Sequence, residues 1–126
     1  MALRELRVTT TGTAGSATGT GTLGFDQRLC LLEAIKLNYH ASAPATTDVS
    51  IVETEGLGRE LLAVANTATD GVYYPRHALH DANGAESAGL VPYVVEGPIQ
   101  VNVEGCDALA DAVVVTLQLV ENPRVH

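Results

Sequence analysis

The chain has 126 residues, 46% of them hydrophobic and 17% charged, which suits one domain with a core and excludes a wholly disordered protein. Fifteen acidic side chains against seven basic ones give a net charge of −8, which argues against nucleic acid or an anionic membrane surface as a partner. No apolar run approaches the about 20 residues that span a bilayer, and residues 1–24 lack the continuous apolar segment of a secretory signal.

The first 24 residues are predicted to form an extended N-terminal arm that precedes a β-sandwich domain of residues 25–126. Residues 9–22 read TTTGTAGSATGTGT, and none of these side chains is large enough to anchor a core. Thr alternates with Gly over residues 18–22, which favours an extended strand. An idle tail is the alternative.

Larger side chains stand before this segment and predict how the arm binds. Leu6 is flanked by Arg4 and Arg7, an unusual pair of cations at the start of an acidic chain. We expect the arm to lie along another subunit by strand addition, with both arginines near acidic groups of that subunit. Arg4, Leu6 and Arg7 are therefore candidate partner contacts.

Residues 28–40 present a choice between a helix and a long strand. The run RLCLLEAIKL has the composition of a good helix, but its apolar and polar side chains alternate. The apolar face of a strand would contain Leu29, Leu31, Ile35, Leu37 and Tyr39. Glu33 is the one exception to the alternation, and we predict a strand.

Further strands are predicted where apolar or alternating runs stand between turn residues. They cover residues 48–52, 60–65, 72–75, 90–95, 98–103 and 112–121. Residues 76–89 are polar and rich in alanine, with little apolar period, and are predicted to be a long loop. Short strands separated by Gly, Pro and Asp indicate an all-β fold, a β-sandwich or jelly roll of about eight strands.

The same alternation predicts the core. With four Tyr, one Phe and no Trp in the chain, this core must be aliphatic. Its predicted members are Ile35, Leu37, Val49, Ile51, Ile99, Val101, Val113, Val115 and Leu117.

Candidate chemistry is sparse. His77, His80 and Asp81 are the nearest approach to a metal cluster, but a third nitrogen or sulfur ligand is lacking and we predict solvated loop residues instead. Asp48, Asp70 and Asp107 stand in predicted turns, where Asp bonds to backbone groups; structural Ca²⁺ is the alternative. We expect no metal and no cofactor.

Nucleophilic catalysis has no better support. Cys30 and Cys106 lack an activating context and are predicted to be two buried thiols rather than a disulfide. No G-x-S-x-G elbow occurs, and the Gly/Thr run lacks the Lys and the helix start of a phosphate loop. We predict that the protein is not an enzyme.

The run Tyr73-Tyr74-Pro75-Arg76 suits a protein contact rather than catalysis or metal binding. It places two aromatic side chains and an Arg beside a rigid proline, and these residue types are enriched at binding hot spots. Tyr73, Tyr74 and Arg76 are therefore candidate partner contacts, the alternative being that one Tyr fills the edge of an aromatic-poor core.

Three blocks of sequence stand within residues 33–121. They are EAIKLNYHASAPATTDV, which contains IK-x-x-Y, then N-x-x-T-D-G-x-Y-Y-P-R as NTATDGVYYPR, then G-x-I-x-V-x-V as GPIQVNV. Together these blocks resemble those of capsid decoration (cement) proteins of tailed bacteriophages. The resemblance implies a jelly-roll fold and attachment to the major capsid protein of an assembled shell, which the bound dimers or trimers stabilise against internal DNA pressure. It also implies a location on the capsid exterior after assembly in the host cytoplasm.

Two alternatives remain open. One is a phage tail, connector or baseplate-associated β-sandwich, which copy number per particle separates from a decoration protein. The other is a cellular carbohydrate-binding β-sandwich module, which a glycan array tests.

Overall fold

Alternating side chains along the chain form ten strands in the computed structural model, which describes residues 2–24, 29–95 and 97–121. The strands are β1 (Ala2–Val8), β2 (Ala17–Leu23), β3 (Cys30–Tyr39), β4 (Asp48–Glu53), β5 (Glu60–Val64), β6 (Gly71–Tyr73), β7 (Arg76–His80), β8 (Glu86–Val95), β9 (Ile99–Cys106) and β10 (Val113–Glu121). Within the described ranges no helix is present, so the predicted all-β class is confirmed.

The strands form two antiparallel sheets packed face to face. The first sheet has six strands in the order β1-β10-β3-β8-β7, with β6 also paired to β3. The second has four strands in the order β2-β9-β4-β5. Strands distant in sequence are neighbours in both sheets, which is the layout of a β-sandwich of the jelly-roll kind.

The core lies between the sheets and is aliphatic. All nine predicted core residues are buried, each at 1% exposure or less. Val8, Leu23, Leu32, Leu61, Val95 and Leu119 join them. The nine positions are confirmed because each lies on an undisturbed alternating stretch, where every second side chain faces the opposite sheet.

Glu33 breaks the alternation of β3 because the strand contains a β-bulge. Ala34 pairs with Gln118 of β10, but the next pair joins Leu32 to Leu119, so Glu33 is an extra residue. The bulge moves the inward face by one position. Leu29 and Leu31, which were predicted to share the face of Ile35, therefore lie outside the core.

The segment predicted as an arm is part of the sandwich. β1 pairs with β10 over its whole length, and β2 pairs with β9, so residues 2–24 give one edge strand to each sheet. Val8 and Ala17 are fully buried. The segment is extended and does add to a sheet as a strand, but the sheet belongs to its own chain, which corrects the arm expected for residues 1–24.

Small residues in β2 allow the two edge strands to approach each other. A Cβ at Gly21 would lie 3.1 Å from Leu6 Cδ2, and one at Gly19 would collide with the carbonyl oxygen of Thr9. Leu6 of β1 and Thr9, which follows β1, occupy the space that side chains at Gly21 and Gly19 would take. Main-chain pairing and this contact across the sandwich offset the backbone entropy that the sequence alone left uncompensated.

The loop predicted for residues 76–89 is also corrected. β7 and the first part of β8 form an antiparallel hairpin there, with Ala78 opposite Leu90 and His80 opposite Glu86. Its side chains show little apolar period because most of the hairpin is exposed on both faces.

Candidate interaction surfaces

Of the three residues that come nearest to a metal cluster in the sequence, His77 and Asp81 contact other groups of the chain, and His80 is exposed. The ring of His77 lies 4.9 Å from the ring of Tyr93. The carboxylate of Asp81 accepts hydrogen bonds from the backbone N–H groups of Asn83 and Ala85 at 2.8 and 3.0 Å. Over the described ranges, no group of three or more His, Cys, Asp or Glu side chains is arranged to hold a metal ion.

The aspartates predicted in turns bond to backbone groups. Asp48, Asp70 and Asp107 each accept a hydrogen bond from the backbone N–H of a segment distant in sequence, at 2.7–2.9 Å. Each carboxylate thereby satisfies a backbone donor that no strand pairs. Cys30 and Cys106 are both buried thiols.

The N-terminal contact candidates lie on the edge strand β1. Leu6 is half-buried against Gly21 of β2. Arg7 is exposed and is paired with Glu5 at 3.0 Å and Asp111 at 3.3 Å, which raises its pKa. Arg7 thus finds acidic groups within its own chain, whereas a partner contact by Arg4, Leu6 or Arg7 stays a prediction.

The Tyr-Tyr-Pro-Arg run is divided between the core and the surface. Tyr73 packs against the core at β6, and Pro75 is buried. Arg76 donates hydrogen bonds to the backbone oxygen and to the carboxylate of Glu33, both at 3.1 Å, and so fixes the bulge of β3. Tyr74 alone is largely exposed, at 62%. Tyr74 is the member of this run that is free to contact a partner.

The two groups of contact candidates are not brought together. β1 and β6 are separated in the first sheet by β10 and β3. Three strand spacings correspond to roughly 14 Å. The two groups therefore lie on different strands and do not form one cluster of adjacent side chains.

Two of the sequence blocks that carry the phage resemblance are neighbours in the fold. Ile35 pairs with Tyr73, and Leu37 with Gly71, so the IK-x-x-Y block and the Tyr-Tyr-Pro-Arg block lie side by side on β3 and β6. The backbone N–H of Tyr39 donates to Asp70 at 2.7 Å. These blocks therefore have a structural reason to occur together.

The hydroxyl of Tyr39 is buried without a hydrogen-bond partner among the described residues. Burial, followed by the charges of Tyr73, Asp70 and Asp48, raises its pKa to about 12. The folded protein thus holds the Tyr39 proton more tightly than the unfolded chain does. The stability from this site is complete below the ordinary tyrosine pKa of 10.0 and is lost as the pH rises toward 12.

A tyrosinate absorbance titration checks this expectation. In the folded protein one tyrosine is expected to titrate about two pH units later than in urea. Tyr39→Phe should remove that late component, whereas Tyr74→Phe, at an exposed position, should leave it. A late component that survives Tyr39→Phe would contradict the assignment.

The outer end of the β7–β8 hairpin, residues 79–90, is here named the distal hairpin, and in the described chain its two strand segments pair only with each other. All of its residues are exposed. Within the described chain β7 pairs only with β8, and β8 pairs with β3 only at residues 93–95. Leu79 is 40% exposed and Leu90 is 68% exposed. The distal hairpin therefore offers two large apolar side chains that its own sandwich does not cover.

Four hydrogen bonds within residues 81–85 stabilise the turn at the tip of the distal hairpin. The Asp81 N–H donates to the Ala85 oxygen at 2.8 Å, and the Gly84 N–H donates to the Asp81 oxygen at 3.0 Å. With the two bonds to the Asp81 carboxylate, the tip has its own hydrogen-bond network. Because less freedom is lost when an ordered segment binds, this network favours recognition.

The base of the hairpin is fixed to the second sheet through Arg59. The Arg59 guanidinium lies 5.1 Å from the centre of the Tyr93 ring and donates to the Val94 oxygen at 2.8 Å. It also pairs with the carboxylate of Glu53 at 2.6 Å. Hydrogen bonds from Arg59 lower the pKa of Glu53, against a smaller opposing effect of burial. These contacts join β8 to the β4–β5 hairpin.

The sequence contains one signal for the distal hairpin. Asn83-Gly84 is a dipeptide typical of tight hairpin turns. The flanking residues do not alternate between apolar and polar, since neither face is buried. A turn signal without a buried face on either side predicts a loop, although the structure has a hairpin there.

The outer face of the second sheet is polar. Thr20, Asn102, Ser50 and Ala63 form one row across its four strands, and a shallow depression lies beside them, between β9, β4 and β5. All four tyrosines belong to the first sheet or to the connection after β6. This face thus presents small polar side chains without an aromatic ring among the described residues.

Comparison with known proteins gives likenesses of fold only. No protein-family model and no curated protein matches the chain. A CBM4 structure has a TM-score of 0.32 at 12% identity, over 95% of this chain and 71% of that one. A CBM27-1 structure from Caldicellulosiruptor saccharolyticus, in complex with mannohexaose, has a TM-score of 0.43 at 10% identity, over 91% and 71%.

A viral structure is also similar. The structure of infectious bursal disease virus Gx strain has a TM-score of 0.28 at 11% identity, over 97% of this chain and 41% of that one. Values this low transfer no ligand or partner to the chain. No helix long and apolar enough to cross a membrane occurs in the part of the chain that the structure describes.

Proposed function

We propose that this protein is a virion structural protein of a tailed bacteriophage that binds the outside of the assembled capsid shell and stabilises it. Its partner in this proposal is the major capsid protein, and it acts without a cofactor and without catalysis. The resemblance of residues 33–121 to decoration proteins supports the phage origin. In this proposal the protein attaches through the distal hairpin and Tyr74.

The exposure and the fixed conformation of the distal hairpin are the main structural support for the proposal. A fixed base, an ordered tip and two uncovered leucines make it suitable for insertion between the subunits of a larger assembly. Apolar side chains presented on an ordered segment contribute more to binding than the same side chains on a mobile loop. Tyr74, which is exposed just before β7, is a second candidate contact in this proposal.

A capsid shell suits a contact of this small size. The shell repeats the same binding site many times, and an oligomer that holds two or three hairpins engages several of them at once. Individual contacts can then be weak while the bound oligomer stays in place. The net charge of −8 limits non-specific binding of free copies to the packaged genome.

The alternatives have less support from the geometry. A tail or connector protein could use the same hairpin, and only its position and copy number would differ. A carbohydrate-binding role has less support because the open outer face of the second sheet carries no aromatic ring in the described chain, and small-molecule sites are typically lined by apolar and aromatic side chains.

Quantitative mass spectrometry of purified virions tests the proposal. A decoration protein is expected at a ratio to the major capsid protein close to a simple fraction such as one to one or one to two. A ratio typical of a single vertex ring would favour the connector alternative instead. Absence from virions would contradict the proposal altogether.

A further inference from the structure

In the described part of the chain, the strand orders of the two sheets end at four edge strands, β1, β7, β2 and β5, and β2 differs from the other three. The edge of β1 carries Arg4, Glu5 and Arg7, and that of β7 carries Arg76 and two histidines. The edge strand β5 has five residues, begins with Glu60 and pairs through a register shift. Charges, short length and irregularity are the features that keep sheet edges from pairing with other chains.

The edge of β2 lacks these protections. Its seven residues, ATGTGTL, contain no charge and no proline, and among the strands that the structure describes it pairs only with β9. The far side is partly covered: Thr18 exchanges backbone hydrogen bonds with Thr11 at 2.9 and 3.0 Å. Because backbone groups alternate in direction along a strand, those of Thr20 and Thr22 point to the same open side as those of Thr18.

We infer that β2 is a self-association edge, at which the β2 strands of two copies of this chain pair antiparallel across a two-fold axis at Gly21. In this register Thr20 lies opposite the partner's Thr22, and Thr22 opposite the partner's Thr20. Each pair exchanges N–H···O=C hydrogen bonds in both directions. The second sheets of the two copies then form one continuous sheet.

Three observations favour a second copy as the occupant. The run Thr20-Gly21-Thr22 is symmetric about Gly21, so a two-fold axis there places residues of the same kind opposite each other. On the outer face each Thr meets a Thr, which is a favourable cross-strand pair. The edge is also uncharged in a chain of net charge −8, so two acidic copies meet where their repulsion is weakest.

The covered part of the edge selects the register. An axis at Thr20 would place Thr18 opposite the partner's Thr22, but the backbone groups of Thr18 are already bonded to Thr11. An axis at Gly21 uses only the two threonines that are open. The inference does not depend on the proposed function, since a monomer could also bind a shell and a dimer could form without one.

Cysteine cross-linking tests the register. Thr20→Cys and Thr22→Cys place exposed thiols on the outer face, while the native Cys30 and Cys106 are buried. Under mild oxidation a mixture of the two variants is expected to yield a covalent dimer. Each variant alone should not, because identical positions lie diagonally and beyond the about 7 Å between Cα atoms that a disulfide spans.

Sedimentation of the intact chain tests the edge itself. The wild type is expected to dimerise reversibly, the double variant T20K/T22K to be monomeric at the same concentrations, and Thr13→Lys, in the exposed turn before β2, to dimerise as the wild type does. A monomeric wild type, a dimeric T20K/T22K variant or a cross-link formed by Thr20→Cys alone would each overturn the inference.

Discussion

A chain that lacks residues 2–23 is expected not to fold. These residues supply both β1 and β2, and their removal exposes the edges of β9 and β10 along with the core behind them. Burial of Val8 and Leu23 alone contributes about 1.5–3 kcal/mol each, against a typical domain stability of about 5–15 kcal/mol. Circular dichroism during thermal unfolding should show no cooperative transition for the shortened chain.

A point substitution tests the contact between β1 and β2 without removing either strand. Gly19→Val would place a branched side chain against the Thr9 carbonyl and Val8, and is expected to lower the free energy of unfolding by about 1–3 kcal/mol or more. Thr22→Val, exposed on the other face of β2, is the matched control and should change stability little. A shortened chain that unfolds cooperatively at the wild-type temperature would show that the segment is a dispensable arm after all.

Removal of the distal hairpin is expected to abolish shell binding while the sandwich stays folded. Ala78 and Leu90 are directly opposite each other, so Asn-Gly in place of residues 79–89 closes the hairpin with a two-residue turn, and Leu90→Ser in the same variant removes the second leucine. The removed side chains are exposed, and the free energy of unfolding should change by less than about 1 kcal/mol. Affinity for particles that lack the protein should fall more than about 30-fold, as for the loss of a binding hot spot.

A double substitution tests whether the two leucines account for the loss of shell binding. Leu79→Ser with Leu90→Ser keeps the length of the hairpin and should weaken binding nearly as much as its removal. Leu57→Ser is the matched control, since Leu57 is 79% exposed in the turn between β4 and β5, away from the hairpin. Equal loss with Leu57→Ser, or no loss with the leucine pair, would exclude the hairpin as the contact.

The sequence predicts the fold best where one strand face is buried. In β9, Ile99, Val101 and Val103 alternate with polar residues without interruption, and all three are buried. β3 follows the same principle, but the bulge at Glu33 shifts its face by one position. A bulge is set by pairing with a distant strand, here β10, so local alternation cannot locate its consequences.

The arm predicted for residues 1–24 and the loop predicted for residues 76–89 are wrong for one physical reason. Gly19 and Gly21 leave space for Thr9, which follows β1, and for Leu6 of β1 in the opposite sheet. The distal hairpin is stabilised by backbone bonds and by Asp81 rather than by a buried face. Neither contribution appears as an apolar period, which is the main signal that a single sequence offers.

The candidate surfaces were predictable only in part. Tyr74 is exposed as a contact residue must be, whereas Arg76 and Arg7 are engaged by Glu33 and Glu5 of their own chain. Residue type alone indicates which side chains suit a binding site. The strand register decides which of them remain open to a partner.

The most direct test of the proposed role is an electron cryo-microscopy difference map between particles that contain this protein and particles that lack it. The proposal predicts difference density at repeated positions over the outer shell, with the distal hairpin in contact with the major capsid protein. Density confined to the tail or its vertex, or a hairpin that points away from the shell, would contradict it.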